Sequence, residues 1–339
     1  MRVLVTGGAG YIGSVLVSLL LEKGYEVICL DRLFFGREPL KDVIDNKNFK
    51  LIQDDIRWFD PNILKDVDAV MDLAALSNDP AGELDPEKTM AINYKGRLRV
   101  ATLSKKYDVA RYVLASSCSI YGFQEGVLSE TAPTNPLTTY AKANLQAEKG
   151  VLSLADDTFT VIVLRQATVY GLSPRMRFDL AINGMTLGFY KNGKIPILRD
   201  GNQWRPFVHV KDTSKAFVIS MIAEKEEVNG EIFNVGSNEQ NYQIFNLAEL
   251  VAKAAGLPFQ YEWYGSPDHR SYRVSFDKIA NTLKFKPDYS PLEGGKEIYE
   301  ALKDGSVKDD LKTITVKWYK HLLEMQGLIK EVEMNGMIL

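Results

Sequence analysis

The chain has 339 residues, of which 45% are hydrophobic and 25% are charged, and its formal net charge is -3. This composition is typical of a globular protein long enough for one large domain or two smaller ones. It excludes a general electrostatic attraction for nucleic acid or an anionic membrane surface. No stretch approaches the ~20 apolar residues of a membrane span.

The start of the chain and its cysteines indicate the cellular compartment. The segment MRVLVTGGAG has neither the long apolar run nor the small-residue cleavage site of a secretory signal. The two cysteines, Cys29 and Cys118, provide no disulfide framework, and we expect both to be buried. We therefore expect a cytoplasmic enzyme, and we predict no metal site.

The first half of the chain alternates short apolar runs with segments of helical spacing. The runs predict β-strands and read RVLVTG, YEVICLD, FKLIQDD, DAVMDLAA, ARYVLASS and FTVIVLR. Helices are predicted between most of them, for example over residues 11–23 and 86–107. Strands that are apolar almost throughout and alternate with helices indicate a parallel sheet covered on both faces.

The alternation ends after Arg165. The basic, turn-rich GLSPRMR leads into a predicted helix over residues 178–190, followed by a short strand IPIL and a helix from about residue 210. The segment GEIFNVG predicts one more strand of the main sheet. A last helix over residues 309–326 carries Leu311, Trp318, Tyr319 and Leu322 at roughly helical spacing, which favours core packing.

The segment VLVTGGAGYIG predicts a dinucleotide site. Gly7, Gly10 and Gly13 lie between the first strand and the first helix, where glycines permit a tight turn and a close approach to a pyrophosphate at the helix N-terminus. Asp31 ends the second strand, where a carboxylate accepts the ribose hydroxyls of NAD and repels the 2′-phosphate of NADP. We therefore predict NAD binding by a Rossmann-type doubly wound α/β fold.

We predict two domains in this fold. Residues 1–174 form the NAD-binding domain, to which about 207–238 return. Residues 175–206 and 239–339 form a smaller mixed α/β substrate-binding lobe with the C-terminal helices.

From TGGAGYIGS to DHRSYRVSFDKI the sequence resembles the extended short-chain dehydrogenase/reductase family, which contains nucleotide-sugar epimerases, dehydratases and reductases. The resemblance implies that Asp55 and Ile56 lie against the adenine, that the LAA motif lines the cofactor, and that Asn93 supports the active site. The residue before LAA is commonly histidine in the family and is Asp72 here. The predicted cofactor-binding residues are Gly7, Gly10, Tyr11, Ile12, Gly13, Asp31, Asp55, Ile56, Leu73, Ala74, Ala75, Asn93, Tyr140 and Asn144.

The resemblance also implies the reaction, which is hydride transfer between a sugar carbon and nicotinamide. Ser117 in ASSCSIYG matches the family's catalytic Ser/Thr, whereas Ser116 is expected to be structural. The related 4,6-dehydratases place an acid after the Ser/Thr, and the related decarboxylases rely on a glutamate at the position of Ser119. Since Cys118 and Ser119 stand there, dehydration and decarboxylation are disfavoured.

The segment TTYAKANLQAEK contains the expected proton carrier, Tyr140, and an unusual neighbour. The family places a lysine four residues on, which holds the nicotinamide ribose and lowers the pKa of the phenol. A unit charge ~4 Å away at an effective dielectric of ~20 is worth ~4 kcal/mol, or up to ~3 pKa units. Asn144, which occupies this position, can hydrogen-bond a ribose hydroxyl but supplies no charge. Lys142 points away from Tyr140 and is not expected to replace the missing charge. Asn144→Lys would restore it, so we expect this substitution to move the pH profile of sugar oxidation toward lower pH.

Two arginines from distant motifs are predicted to bind a diphosphate. Arg205 in GNQWRPFVHVKD and Arg270 in DHRSYRVSFDKI match the family's anchors for the sugar nucleotide, and a guanidinium offers several donors in a planar fork. Arg175 and Arg177 add positive potential at the mouth of the pocket. The predicted substrate-binding residues are Ser77, Ser117, Thr168, Arg177, Asn183, Arg205 and Arg270.

These motifs leave the exact reaction open. The main interpretation is an NAD-dependent epimerase or oxidoreductase acting at C4 of a nucleotide-diphosphate sugar, and the alternative is a C4 ketoreductase or dehydrogenase without epimerisation. A non-catalytic NAD-binding sensor or subunit is the alternative that Asn144 raises. The resemblance implies a homodimer formed by the helices at about 86–107 and 140–154, and the nucleotide stays undetermined.

Overall fold

A parallel sheet of seven strands forms the centre of the fold, in a computed structural model that describes residues 1–267 and 270–337. The strands of this described part are β1 Arg2–Thr6, β2 Glu26–Asp31, β3 Phe49–Gln53, β4 Ala69–Asp72, β5 Arg111–Ser117, β6 Val127–Leu128, β7 Thr160–Gln166, β8 Thr168–Tyr170, β9 Ile195–Leu198, β10 Trp204–His209, β11 Glu231–Val235, β12 Asn241–Gln243, β13 Tyr261–Tyr264 and β14 Arg273–Val274.

The order of the strands creates a crevice at one edge of the sheet. The order is β11-β7-β5-β4-β1-β2-β3, and every neighbouring pair is parallel. The chain moves outward from β1 to β3 and then crosses back to β4 on the other side of β1, so the topology switches between β1 and β4. Ligands of doubly wound sheets bind at such a switch point. The predicted fold class and the return of GEIFNVG as β11 are confirmed.

Helices cover both faces of the sheet. They are α1 Tyr11–Glu22, α2 Asp79–Gly82, α3 Pro86–Met90, α4 Arg97–Lys106, α5 Thr139–Leu152, α6 Ala181–Asn192, α7 Val210–Ile222, α8 Lys225–Val228, α9 Ile244–Ala255, α10 Asp277–Leu283, α11 Pro291–Lys303 and α12 Thr315–Val332. A π-helical segment, Ala91–Gly96, joins α3 to α4. Leu16 of α1 and Phe217 of α7 are buried in one core cluster, whereas Val100 of α4 and Val151 of α5 are buried in a second. No helix in the described residues is long and apolar enough to cross a membrane.

Two predicted helices begin later than expected. The helix predicted over residues 178–190 begins at Ala181, because Leu180 has an extended backbone (φ -97°, ψ 147°) that interrupts a helical turn at this point. The helix predicted over residues 309–326 begins at Thr315, because Asp310 accepts from the backbone N–H groups of a separate 3-10 turn at Leu311–Thr313. Leu311 is 43% exposed, so the prediction that it packs in the core is wrong.

The second lobe has its own small sheets and its own core. β12, β10 and β8 form a three-stranded sheet, and β13 pairs with β9. Ile182, Phe189, Ile197, Phe207 and Leu247 belong to a hydrophobic cluster separate from the two clusters of the main sheet. β8 thus belongs to a sheet of the lobe although it precedes residue 175. The division at residue 174 stays a proposal.

Candidate active site

A cavity of about 560 Å³ lies at the carboxyl edge of the main sheet, between the sheet and the smaller lobe. Most of the predicted site residues line it: Gly7, Gly10, Tyr11, Ile12, Gly13, Asp31, Asp55, Ile56, Leu73, Ala74, Ala75, Ser77, Ser117, Tyr140, Thr168, Arg177, Arg205 and Arg270. Residues far apart in the sequence therefore converge on one space. The Asp268 and His269 positions of the DHRSYRVSFDKI motif lie outside the described residues.

The turn between β1 and α1 leaves room for a phosphate group. Gly7 has φ +69°, and a Cβ there would lie 2.9 Å from the backbone of Ala74. A Cβ at Gly13 would lie 2.1 Å from the carbonyl oxygen of Gly7. No side chain caps the N-terminus of α1, so the N–H groups of its first turn remain available for a pyrophosphate. These features fit NAD.

Asp31 and Asp55 line the cofactor end of the cavity in different ways. The two carboxylate oxygens of Asp31 accept from Ala9 N (3.0 Å) and Leu33 N (2.7 Å), and burial raises the pKa of this carboxyl. The oxygens of Asp55 are engaged by the backbone N–H, Nε and Nη2 of Arg57 at 2.8–2.9 Å. Although burial raises its pKa, these bonds leave the pKa of Asp55 below its usual value. Asp31 is therefore the carboxylate that fits a ribose.

Asp72 has a structural explanation that the sequence did not give. It lies at the end of β4 and is fully buried. One of its oxygens accepts from Thr6 Oγ1 (2.6 Å) and the other accepts from the hydroxyl of Tyr112. Thr6 Oγ1 in turn accepts from Ala74 N (3.1 Å). Asp72 thus ties β1, β4 and β5 together beneath the cofactor loop.

Ser117 and Tyr140 both line the cavity, and a hydrogen bond with the Ser117 side chain is among the contacts that lower the pKa of Tyr140. Ser117 ends β5, and its Oγ accepts from Ser119 N (3.1 Å). Tyr140 lies in the first turn of α5, which Thr138 caps by accepting from Ala141 N (3.2 Å), as the sequence predicted. Burial raises the pKa of Tyr140, the positive charge of Arg97 lowers it, and Asp79 raises it. Because the net effect is a raised pKa, the phenol is protonated at neutral pH.

The neighbours of Ser117 are arranged as predicted. Ser116 Oγ donates to the carboxylate of Glu148, and Cys118 Sγ contacts Arg165 O at 3.3 Å. Cys118 is 1% exposed, and burial raises its pKa. Ser119 lines the cavity, and its Oγ has no hydrogen-bond partner among the described residues. Cys118 is therefore a buried thiol, and neither a carboxylate nor a thiol occupies position 119.

Three predicted site residues lie behind the cavity wall instead of lining it. Asn93 bonds both backbone polar atoms of Leu76, which agrees with a supporting role. Asn183 Oδ1 accepts from Gly171 N, and its Nδ2 donates to Tyr11 Oη and Arg177 O. Asn144 is 1% exposed. The polar atoms of Asn183 hold Tyr11 and Arg177 in place, and its contact with the nucleotide stays a prediction.

The side chain of Asn144 is held by two contacts within the protein. Its Oδ1 accepts from Arg97 Nη1 (2.8 Å), and its Nδ2 donates to the backbone oxygen of Tyr140 (3.1 Å). Both ends of the amide are therefore used within the protein. The amide nitrogen carries a second N–H, and a bond from Asn144 to a ribose hydroxyl stays a prediction.

The arginines of the lobe surround the substrate end of the cavity. Arg205 donates to the backbone oxygens of Trp204 and Arg270, and its guanidinium carbon lies 5.1 Å from the Tyr272 ring centroid. Arg270 pairs with Asp79, which also accepts from Thr138 Oγ1 (2.5 Å). The sequence therefore predicted correctly that Arg205 and Arg270 lie together, and the structure adds a carboxylate beside them.

Arg177 is held in a tight ion pair. Its Nε and Nη2 donate to the two oxygens of Asp179 at 3.0 and 2.8 Å, and its Nη1 donates to Ser77 Oγ (3.3 Å). Asp179 also accepts from Asn78 Nδ2 (2.6 Å). Ser77 and Arg177 are thus joined across the cavity wall, and the pairing with Asp179 reduces the free positive charge that the sequence suggested at this position.

Sequence reasoning missed Arg97 and Tyr319, and it only partly anticipated Arg175. Arg97 and Tyr319 both line the cavity, although Tyr319 was assigned to core packing. Arg175 packs its guanidinium 3.7 Å from the Phe35 ring centroid, and its Nε has no hydrogen-bond partner among the described residues. A signal for Arg97 was present, because it lies four residues after Asn93 on the face that also carries the buried Val100 and Ala101.

Comparisons with known proteins agree with this geometry. A family model described as NAD dependent epimerase/dehydratase family matches residues 3–236. A UDP-glucose 4-epimerase of Lactobacillus helveticus is 28% identical over 318 residues, which cover 86% of this chain and 94% of the relative. A UDP-glucuronic acid decarboxylase of Arabidopsis thaliana is 29% identical over 308 residues, which cover 87% of this chain and 68% of the relative.

A solved structure adds the same likeness in three dimensions. The UDP-glucose 4-epimerase of Thermotoga maritima, solved with UDP-glucose, matches the fold with a TM-score of 0.80 at 26% identity. The match covers 91% of this chain and 100% of that one. The likeness therefore extends through the small lobe as well as the dinucleotide-binding sheet.

Proposed function

Because the chain belongs to the NAD dependent epimerase/dehydratase family, we propose that it uses NAD to epimerise C4 of a sugar linked to a nucleoside diphosphate. The observation that carries this proposal is the convergence of three groups on one cavity. These groups are the glycine turn, the Ser117–Tyr140 pair and the Arg205–Arg270 pair. A protein that only sensed NAD would need the glycine turn without the other two.

The chain's residues divide the work of this reaction. NAD held at the glycine turn would supply the hydride acceptor for C4 and then the hydride donor for the opposite face, so the sugar would undergo no net oxidation. Tyr140 removes the proton from the C4 hydroxyl and later gives it back. Ser117 holds the reacting oxygen by a hydrogen bond, and the two guanidinium groups of Arg205 and Arg270 bind the diphosphate.

Position 119 favours epimerisation or simple redox chemistry over decarboxylation. The plant relative named above is a decarboxylase, so overall identity does not separate these activities. Ser119 offers a hydroxyl, which cannot carry a proton as a carboxylate does. A ketoreductase or dehydrogenase acting at C4 needs the same residues as an epimerase and remains the second candidate.

The nucleotide and the remaining site roles belong to the same proposal. Uridine is the base we propose, since the relatives and the solved structure described above carry UDP-sugar names. The cofactor and substrate contacts assigned from the sequence are proposed for those residues that line the cavity. We further propose a cytoplasmic homodimer, with α4 and α5 as the contact helices.

The test combines product analysis with one substitution. The enzyme is incubated with NAD and, separately, UDP-glucose, UDP-galactose and UDP-glucuronate, and the anomeric signals are followed by NMR while absorbance reports NADH. We expect formation of the C4 epimer without stoichiometric NADH, and we expect Tyr140→Phe to abolish most turnover while NAD affinity is retained. Stoichiometric NADH without an epimer would support the dehydrogenase instead, and a fully active Phe variant would contradict the role of Tyr140.

A further inference from the structure

Arg97 is a buried cation in the wall of the catalytic cavity. It opens α4, is 2% exposed and lines the same cavity as Ser117 and Tyr140. Its Nε donates to Ala74 O (2.9 Å), and its Nη1 donates to Ala115 O (3.0 Å) and to Asn144 Oδ1 (2.8 Å). Among the described residues, Nη2 makes no hydrogen bond. The guanidinium is thus anchored on one side and has an unused donor group.

The partners of Arg97 leave its charge uncompensated. All three are neutral oxygens, and no carboxylate in the described part of the chain forms an ion pair with Arg97. Desolvating a guanidinium without a counter-charge is costly, and an anion that formed beside it would offset that cost. The group beside it that can become an anion during sugar oxidation is the Tyr140 phenol, whose pKa Arg97 lowers against the effect of burial.

The geometry explains why an asparagine stands one turn after Tyr140. An amide oxygen accepts from Arg97 without neutralising it, whereas a carboxylate would cancel the charge. Asn144 Oδ1 lies 2.8 Å from Arg97 Nη1, so a lysine ammonium in place of this amide would lie close to the guanidinium. The two positive charges would repel each other. Asn144 also donates to the backbone of Tyr140, so one side chain links the cation to the proton carrier.

We propose that Arg97 supplies the positive charge that stabilises the Tyr140 phenolate, and that Asn144 orients its guanidinium. Arg97 and Asn144 are positioning residues that act through Tyr140, so this inference rests on the proposed function, in which Tyr140 carries the proton. It replaces the expectation that the site lacks a cation. The cation is Arg97 of α4, and Asn144, four residues after Tyr140, holds it in place.

The test measures the ionisation of Tyr140 directly and then the reaction. Protein labelled with ¹³C at the tyrosine Cζ is titrated with NAD bound, and the Tyr140 signal is assigned by its loss in Tyr140→Phe. Arg97→Gln removes the charge, Arg97→Lys keeps it, and Arg99→Gln is the matched control. Arg99 is on the same helix, but it donates to Ile56 O and Phe59 O and does not line the cavity.

Arg97→Gln should raise the pH midpoint of Tyr140 ionisation by about one unit or more. At any fixed pH below the midpoint, this is about a tenfold loss of phenolate. Sugar oxidation should fall by about the same factor, and its pH profile should move toward higher pH. Arg97→Lys should recover part of both effects, and Arg99→Gln should change neither. An unmoved Tyr140 midpoint in a folded Arg97→Gln variant would overturn the proposal.

The double substitution Arg97→Gln with Asn144→Lys keeps the proposal testable if Arg97→Gln alone does not fold, because the lysine restores a cation beside Tyr140. If Arg97 supplies the charge in the native protein, exchanging one cation for the other should leave the Tyr140 midpoint within about one unit of its native value. A midpoint lowered by more than about one unit would show that the native site lacked a cation, and it would overturn the proposal. Absence of turnover by the native enzyme on every nucleotide sugar would instead contradict the proposed function, while the titration would still report on Arg97.

Discussion

We propose that the carboxylate of Asp31 governs the choice between the two nicotinamide cofactors. Its oxygens accept from the backbone N–H groups of Ala9 and Leu33, which fix it beside the glycine turn. Among the described residues no cation is hydrogen-bonded to Asp31, so a 2′-phosphate at this position would meet a negative charge. Arg32 is the next residue, but its Nε lies 3.7 Å from Asp55 and its guanidinium lies 5.2 Å from the Phe34 ring centroid, so it is turned toward Asp55.

We expect NAD to bind at least about tenfold more tightly than NADP at neutral pH, and the preference to weaken in acid. Burial raises the pKa of Asp31, so this group is protonated at a higher pH than an ordinary aspartate and then no longer repels the phosphate. The measurement is the ratio of the two dissociation constants across the pH range in which the protein stays folded. Asp31→Asn controls for titration of the phosphate itself. If the native protein and the Asn variant have the same ratio of NADP to NAD dissociation constants at every pH, Asp31 does not have this role.

Helix α5 connects the reacting group to the core of the sheet. Tyr140 lies in its first turn at the cavity, and Glu148 lies two turns later at 1% exposure. Glu148 accepts from Arg165 Nε and Nη2 (2.8–3.2 Å) and from the hydroxyl of Ser116. Arg165 belongs to β7 and Ser116 to β5, so one carboxylate fixes the helix to two strands. The position of Tyr140 depends on this pairing.

Removing the carboxylate should therefore cost stability. Glu148→Ala leaves Arg165 buried and without its counter-charge, and breaking one side of a buried pair costs about 3–5 kcal/mol. The free energy of unfolding is measured by chemical denaturation, with Glu148→Gln as a milder variant and exposed Lys149→Ala, one residue on, as the control. If Glu148→Ala and Lys149→Ala unfold at the same denaturant concentration, the pair is not a stabilising contact.

Helix α12 shows how an element from the end of the chain completes the cofactor site. Trp318 Nε1 donates to Phe34 O (2.6 Å), and the Tyr319 ring lies edge-on to the Phe34 ring at 5.7 Å between centroids. These contacts hold the first turns of α12 against the loop that follows β2, and Tyr319 therefore lines the cavity. The later turns are exposed, so this amphipathic helix contributes to the cavity through its N-terminal half.

At the scale of the whole molecule, α4 and α5 form the surface proposed for a dimer. Their outward positions are polar, and they include Thr102, Lys142, Gln146 and Lys149. A twofold contact places the same face of each subunit opposite itself, so added positive charge on this face repels its own copy. The surface thus has no exposed apolar seam, and its pairing would depend on shape and charge.

We expect a dimer by light scattering at micromolar concentration, and we expect Gln146→Lys to shift it toward monomer. The matched control is Gln326→Lys, which adds the same charge on the exposed part of α12. A monomeric native protein would rule out the dimer. Equal effects of the two substitutions would place the contact away from α4 and α5.

The local pattern of the sequence determined the parallel sheet and the glycine turn, whereas the family resemblance implied the proposed catalytic pair of Ser117 and Tyr140. Strand and helix periodicities are written in consecutive residues, and the positions of Gly7, Asp31 and Tyr140 follow from the element that each begins or ends. For this reason the fold class and the NAD site could be predicted before any contact was known. Arg205 and Arg270 were identified by the resemblance of their segments to family motifs, and not by periodicity.

Only the tertiary structure decided where the positive charge of the active site comes from. Arg97 meets Asn144 across 47 residues of chain, and Trp318 meets Phe34 across 284. No periodicity encodes such a meeting, because it depends on how α4, α5 and α12 pack against the sheet and on which buried polar atoms must find partners. In the sequence, Asn144 in place of the family's lysine indicated a missing cation. The packing of α4 brings the guanidinium of Arg97 to this asparagine.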